Sequence, residues 1–90
     1  MSVAVSIPSA FRRHTENLDR FDCSATNLNE LLDALSHRFP ELAPHLRDEH
    51  GKVRRFLNIY VNDEDIRFLE KDYRFAEEDQ ITLVPSIAGG

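Results

Sequence analysis

Ile81-Thr82-Leu83-Val84-Pro85-Ser86-Ile87-Ala88-Gly89-Gly90 are the last ten residues of the sequence. Ile81 to Val84 have strand character, and proline cannot donate to a sheet ladder, so pairing is expected to end at Pro85. The sequence thereby divides into a folded domain, residues 1–84, and a C-terminal tail, residues 85–90. Fully extended, the five residues beyond Pro85 project about 15–18 Å. Gly89 and Gly90 carry no Cβ, so they fit a narrow channel and leave the terminal carboxyl unhindered. The pattern directs attention to the α-carboxylate of Gly90 rather than to a side chain.

Upstream of this stretch, the body has a readable order of elements. Val3, Val5 and Ile7 alternate with Ala4 and Ser6, the period of a half-buried strand, and Pro8 closes it. The segment Phe11 to Asn17 is polar and reads as a loop. Phe21 and Cys23 alternate with Arg20, Asp22 and Ser24, giving a second strand in a hairpin with the first. Leu28, Leu31, Leu32, Leu35 and Phe39 form one apolar stripe at helical spacing. Asn27 and Glu30 make a capping-box start, and Pro40 ends the helix because the residue before a proline avoids the α region. Glu41 to Arg47 adds a short helical turn carrying Leu42 and Leu46.

The chain then returns to strand, with Leu57, Ile59 and Val61 on one face and Phe56, Asn58 and Tyr60 on the other. Asn62-Asp63-Glu64-Asp65 turns it into a brief strand at Ile66 to Phe68. Tyr73 and Phe75 are expected as core anchors in an otherwise polar segment, and Glu77-Glu78-Asp79 as a solvated turn before the last strand. One helix with one apolar stripe needs one sheet face to cover it. A right-handed crossover then sets the first and last strands parallel in mid-sheet. The expected fold is α+β: a two-layer β-grasp, ubiquitin-like, with a mixed sheet of four to five strands packed on one main helix.

Composition narrows the function. Ninety residues, 41% hydrophobic and 30% charged, give one ordinary globular domain. A chain of this size buries about 60–65% of its unfolded surface, too little for a deep enclosed active site. The net charge of −5 argues against nucleic acid, which is bound by neutralising phosphates. No segment has the uninterrupted apolar length of a membrane span. Met1-Ser2-Val3-Ala4-Val5 shows no basic or apolar leader, and a single cysteine fits a reducing compartment, so a cytoplasmic location is expected.

Side-chain chemistry is poorly represented. Cys23 lies in a strand pattern with no neighbouring cation to lower its pKa, the setting of a small structural hydrophobe. His14, His37, His45 and His50 show no ligand spacing, and one cysteine cannot build a multi-thiolate zinc site. Residues 62–65 lack the alternating oxygens and mid-loop glycine of a calcium loop. No metal and no catalytic side chain is expected. Phe56, Tyr60 and Val84 fall on or beside the open sheet face near the tail and form the expected docking patch for a partner.

The ending Leu83-Val84-Pro85-Ser86-Ile87-Ala88-Gly89-Gly90 resembles that of the ubiquitin-like sulfur carriers, the MoaD/ThiS family, among them the small subunit of molybdopterin synthase and the thiamin-biosynthesis carrier. Val5-Ser6-Ile7-Pro8 and the stretch Phe56-Leu57-Asn58-Ile59-Tyr60-Val61-Asn62-Asp63-Glu64-Asp65-Ile66-Arg67-Phe68 look most like the branch that supplies sulfur for cysteine synthesis. The resemblance covers nearly the whole chain. One departure is Glu78, where many relatives have glycine before the aspartate at Asp79.

The resemblance implies a protein co-substrate rather than an enzyme. An E1-like adenylating and sulfurtransferase enzyme would use ATP and magnesium to activate Gly90, with Ile87, Ala88 and Gly89 as the inserted tail. Gly90 would then become a thiocarboxylate. A pyridoxal-phosphate-dependent cysteine synthase would accept the sulfur, and a JAMM-type zinc peptidase would release the product. No cofactor is implied on this chain itself. Carriers for molybdopterin, thiamin or a secondary metabolite remain alternatives. So do a modifier conjugated through Gly90 to lysines and a plain β-grasp interaction domain. The chain holds only two lysines, Lys52 and Lys71, beside nine arginines, which limits linkage to itself.

Overall fold

Val3 and Val5 point to one side of the first strand, β1 (Val3–Ser6), and are buried there to 1% and 0% exposure. The computed structural model describes residues 2–70 and 72–86. Its other strands are β2 (Arg20–Cys23), β3 (Leu57–Val61), β4 (Glu64–Asp65) and β5 (Gln80–Pro85). They form one mixed sheet in the order β2-β1-β5-β3-β4. β1 pairs antiparallel with β2, from Val3 opposite Cys23 to Ser6 opposite Arg20. It pairs parallel with β5, from Ala4 opposite Gln80 to Ser6 opposite Thr82. The first and last strands therefore lie side by side inside the sheet, as the crossover rule requires.

The main helix, α1 (Leu28–Arg38), packs on one face of this sheet through Leu31, Leu32 and Leu35, each fully buried. Burying a leucine side chain stabilises by about 1.5–3 kcal/mol. At its start, Asn27 Oδ1 accepts the Glu30 N–H at 2.9 Å. Glu30 Oε1 in turn accepts from the Thr26 N–H at 2.8 Å and the Thr26 hydroxyl at 2.7 Å. The reciprocal arm of the capping box thus reaches one residue further back than the pattern predicts. Phe39, before Pro40, has left the helical region and packs edge-on against Phe21 of β2, with ring centroids 5.5 Å apart. A short helix, α2 (Ala43–Leu46), follows, with Leu42 and Leu46 fully buried.

Several local expectations change. Residues expected as a polar loop contain a 3-10 helix, Ser9–His14, anchored by Phe11 at 5% exposure. Its end is fixed by a fully buried Thr15, whose hydroxyl donates to the Leu18 carbonyl at 3.0 Å. A single apolar anchor has no period, so hydrophobic patterning could not show this helix. Ile66–Phe68 is a 3-10 helix rather than a strand, because Asp65 accepts the Arg67 N–H at 2.8 Å and turns the chain. Asp79 is buried, at 5% exposure, instead of solvated. Finally, β5 continues through Pro85, which sits opposite Leu57. The Gln80 carbonyl accepts the Asn62 N–H at 2.8 Å, so even-numbered residues of β5 bond to β3 and odd-numbered ones face away. The Pro85 nitrogen is one of the latter, and no ladder bond is lost.

Between β3 and β4 the turn is shorter than the four residues expected: only Asn62 and Asp63 turn the chain, and Glu64 and Asp65 already pair with Val61 and Tyr60. Asn62 and Asp63 both have positive φ, 51° and 72°, the requirement of a tight hairpin turn whose twist matches its strands.

Candidate functional site

The parallel pairing of β1 with β5 decides what surrounds the end of β5. Two parallel strands finish at the same edge of the sheet, so the helix Ser9–His14, which follows β1, stands beside Pro85 and Ser86. The Ser86 N–H donates to the Phe56 carbonyl, so the ladder with β3 holds the chain one residue beyond the proline. Ile87, Ala88, Gly89 and Gly90, expected as the tail and its reactive terminus, lie outside the described residues.

A cavity of about 460 Å³ opens at this edge. Phe11, Phe56 and Pro85 give it apolar walls, and Arg13, His14 and His45 supply its polar side. The His14 and His45 rings stack, with centroids 4.5 Å apart and planes inclined by 22°. Burial first, and then the neighbouring charges of His14, Arg54 and Arg13, pushes the His45 imidazole below its ordinary pKa. Sequence spacing gave no hint of this pair, because two histidines from separate elements meet only through the fold. The one available signal was the parallel β1–β5 pairing, which already places residues 9–14 at the exit of β5.

The expected docking residues are divided between this edge and the open face of the sheet. Leu57, Ile59 and Val61 are buried under the helix layer, so Asn58 and Tyr60 face the other way. Val84 stands opposite Asn58, and Tyr60 opposite Thr82, which makes Tyr60 and Val84 diagonal neighbours on that face. Val84 is 38% exposed. Phe56, 39% exposed, lines the cavity at the strand end. Beyond Tyr60, Asp65 binds Arg67 at 2.7 Å. The hydrogen bonds from Arg67 hold the Asp65 carboxyl below the usual carboxylate range.

Other side chains offer less. Cys23 is half-buried on β2, and burial pushes its thiol pKa up, away from the reactive thiolate. Among the described residues no three His, Cys, Asp or Glu side chains converge as a metal site. Among them, too, no helix is long and apolar enough to cross a membrane.

Comparison with known proteins places this geometry. Over 93 aligned residues, covering all of both chains, the protein is 38% identical to the sulfur carrier protein CysO of Mycobacterium tuberculosis. The crystal structure of that organism's CysO superposes with a TM-score of 0.83 and 35% identity, over 94% of this chain and 99% of the other. A chain of the Amycolatopsis orientalis BexX/CysO complex superposes with a TM-score of 0.86 and 35% identity, over 98% and 99% of the two chains. The ThiS family model matches residues 5–90, from β1 through the final glycine. The β-grasp fold and the sequence agree: the chain belongs to the ThiS family.

Proposed function

We propose that this protein is a cytoplasmic sulfur carrier whose Gly90 carboxylate is converted to a thiocarboxylate, with cysteine biosynthesis as the destination of the sulfur. The observation that carries the reading is the full-length similarity to CysO, a protein named as a sulfur carrier. The fold supports it in two ways. β5 is an interior strand bonded on both sides, so the tail begins from a rigid anchor. Pro85 and the bond from Ser86 to Phe56 set its starting direction.

The chemistry asks little of the body. A carboxylate is a poor electrophile until one oxygen becomes a leaving group. In the proposed sequence an activating enzyme lets the Gly90 carboxylate attack the α-phosphate of ATP, with loss of pyrophosphate. Sulfide then attacks the acyl carbon; AMP departs and a thiocarboxylate remains. If a partner's persulfide attacks instead, AMP departs from an acyl disulfide, and a second thiol of that partner cleaves the S–S bond, releasing the thiocarboxylate and leaving a disulfide on the partner. Magnesium, ATP, pyridoxal phosphate and zinc belong to the partner enzymes in this scheme. The body holds the sulfur near the acceptor and raises its effective concentration. The A. orientalis complex of a CysO with BexX supports the idea that such a carrier is gripped as a folded unit.

Intact-mass spectrometry after incubation with an activating enzyme, ATP and sulfide tests the proposal. The expected result is a mass gain of one oxygen-for-sulfur exchange, absent from a chain lacking Gly89 and Gly90. Protein adducts through lysine without that exchange would overturn it.

A further inference from the structure

We propose that the cavity at the end of β5 binds a small aromatic carboxylic acid, its ring held among Phe11, Phe56 and Pro85 and its carboxylate by Arg13, His14 and His45. The site is built from residues 10–86 alone, and it stands apart from the carrier reading, which it does not need.

The walls divide by chemistry. A concave space of about 460 Å³ lies within the range of small-molecule sites, which runs from about 300 to 1,000 Å³. Three ring side chains, Phe11, Phe56 and Pro85, wall its apolar half. Phe56 is 39% exposed, so its ring is open to a ligand ring packed offset or edge-on. The other half is basic. The protein carries a net charge of −5, yet the described residues lining the cavity include one arginine and two histidines and no carboxylate. A molecule with a ring at one end and a negative charge at the other matches both halves.

The basic groups are also available. The Arg12 Nε donates to the Ile7 carbonyl at 3.1 Å, and the Arg54 Nε to the Pro44 carbonyl at 2.9 Å. The arginine ion pairs among the described residues engage Arg20, Arg38, Arg47 and Arg67. Arg13 takes part in none of these and is exposed at the cavity. His14 and Arg13, from the 3-10 helix, and Arg54, from the segment before β3, all act on His45, and every one of these charges is cationic. A metal ion between the stacked imidazoles would meet the same cations, so the field favours an anion. A carboxylate there accepts charge-assisted bonds from the Arg13 guanidinium and from imidazole N–H groups. Of the three basic side chains only Arg13 is charged at every pH, which suits one carboxylate better than a doubly charged phosphate. Protonating either imidazole strengthens binding, and binding weakens as pH rises through their midpoints. The ligand rests on Ser86 and Phe56, the two residues whose backbone bond ends the ladder.

The test is an NMR titration of the full chain with phenylacetate at constant ionic strength, beside phenylacetamide, acetate and inorganic phosphate. Phenylacetate is expected to shift His14, His45, Phe56 and Ser86 saturably and to give nuclear Overhauser contacts to the Phe11 and Phe56 rings. Phenylacetamide lacks the charge and acetate the ring, and each is expected to bind about tenfold more weakly. Saturation with phenylacetate is expected to raise the His45 midpoint by about 0.5 pH unit, roughly threefold in protonation constant. The exposed His37 and His50 should not move. Arg13→Gln, at an exposed position, is expected to keep the fold's spectrum elsewhere and to lose about tenfold in affinity. Absence of saturable shifts at the cavity would overturn the proposal. So would acetate or phosphate binding as tightly as phenylacetate, which would reduce the site to a patch of positive charge.

Discussion

Asp79 joins three parts of the chain. One carboxylate oxygen accepts from the Ala76 N–H at 2.8 Å and the Tyr73 hydroxyl at 2.9 Å, and the other from the Asn62 amide at 2.8 Å. Asn62 returns its own oxygen to the Gln80 N–H at 2.9 Å, tying the β3–β4 turn to the start of β5. Burial pushes the carboxyl up, but the bonds from Ala76, Asn62 and Tyr73 win, and the net shift is below the ordinary 3.8. A depressed folded pKa contributes stability that is present above pH 3.8 and is lost as pH falls through the folded value. Asp79→Asn points an amide donor at groups that already donate, and is expected to cost about 1–3 kcal/mol at neutral pH. Urea unfolding at neutral and acid pH checks this: the gap between wild type and variant should narrow below pH 3.8. Nothing in Glu77-Glu78-Asp79 marks the third acid as different from the first two. Asp79 is singled out by Asn62, which β3–β5 pairing brings to it from 17 positions away.

At the scale of elements, legibility followed periodicity. The stripe of α1 and the alternation of β1 and β3 fix both an element and its buried face, because many residues repeat one message. The two 3-10 helices carry no such repeat. Ser9–His14 hangs on Phe11 and Thr15, and Ile66–Phe68 on one aspartate. The turn before β5 is a third case. Glu78 adopts φ 71°, the left-handed region that costs a residue with a Cβ about 1–2 kcal/mol. Glycine, with no Cβ, takes this conformation without that cost. Glu78→Gly should therefore stabilise the fold by about 0.5–1 kcal/mol, the relief being partly offset by the freer unfolded chain. Chemical denaturation checks it, and a loss of stability would mean that the exposed Glu78 side chain matters more than its backbone.

For the whole molecule, two surfaces stand apart: the open face with Tyr60 and Val84, and the end of the sheet where Pro85 and Ser86 line the cavity. Alternation in the sequence put Phe56 and Tyr60 on the open face, with Val84 expected beside them; Tyr60 and Val84 lie there, while Phe56 lines the cavity at the strand end. The cavity at the edge was hidden, because Phe11 and His14, His45, and Phe56 come from three separate stretches that share no pattern. A charge in the centre of a docking patch is poorly tolerated, since it must be desolvated without a partner. Val84→Asp, on an exposed position, is expected to leave the circular dichroism spectrum unchanged. It should also lower kcat/KM for sulfur loading about tenfold, equivalent to about 1.4 kcal/mol. Equal loading by variant and wild type would remove the open face from the partner interface.

Placing β5 between β1 and β3 also sets the timing of folding during synthesis. The residues of β1 leave the ribosome well before those of β5, their parallel neighbour, are made. Until it emerges, β1–β2 and β3–β4 are two separate hairpins, and the leucines of α1 have only half a sheet to cover. Contacts so distant in sequence are slow to form and come late. An interrupted translation product therefore lacks the strand that joins the two halves and stays open to proteolysis. Only a chain synthesised through β5 acquires the closed five-stranded sheet and a full cover for the leucines of α1.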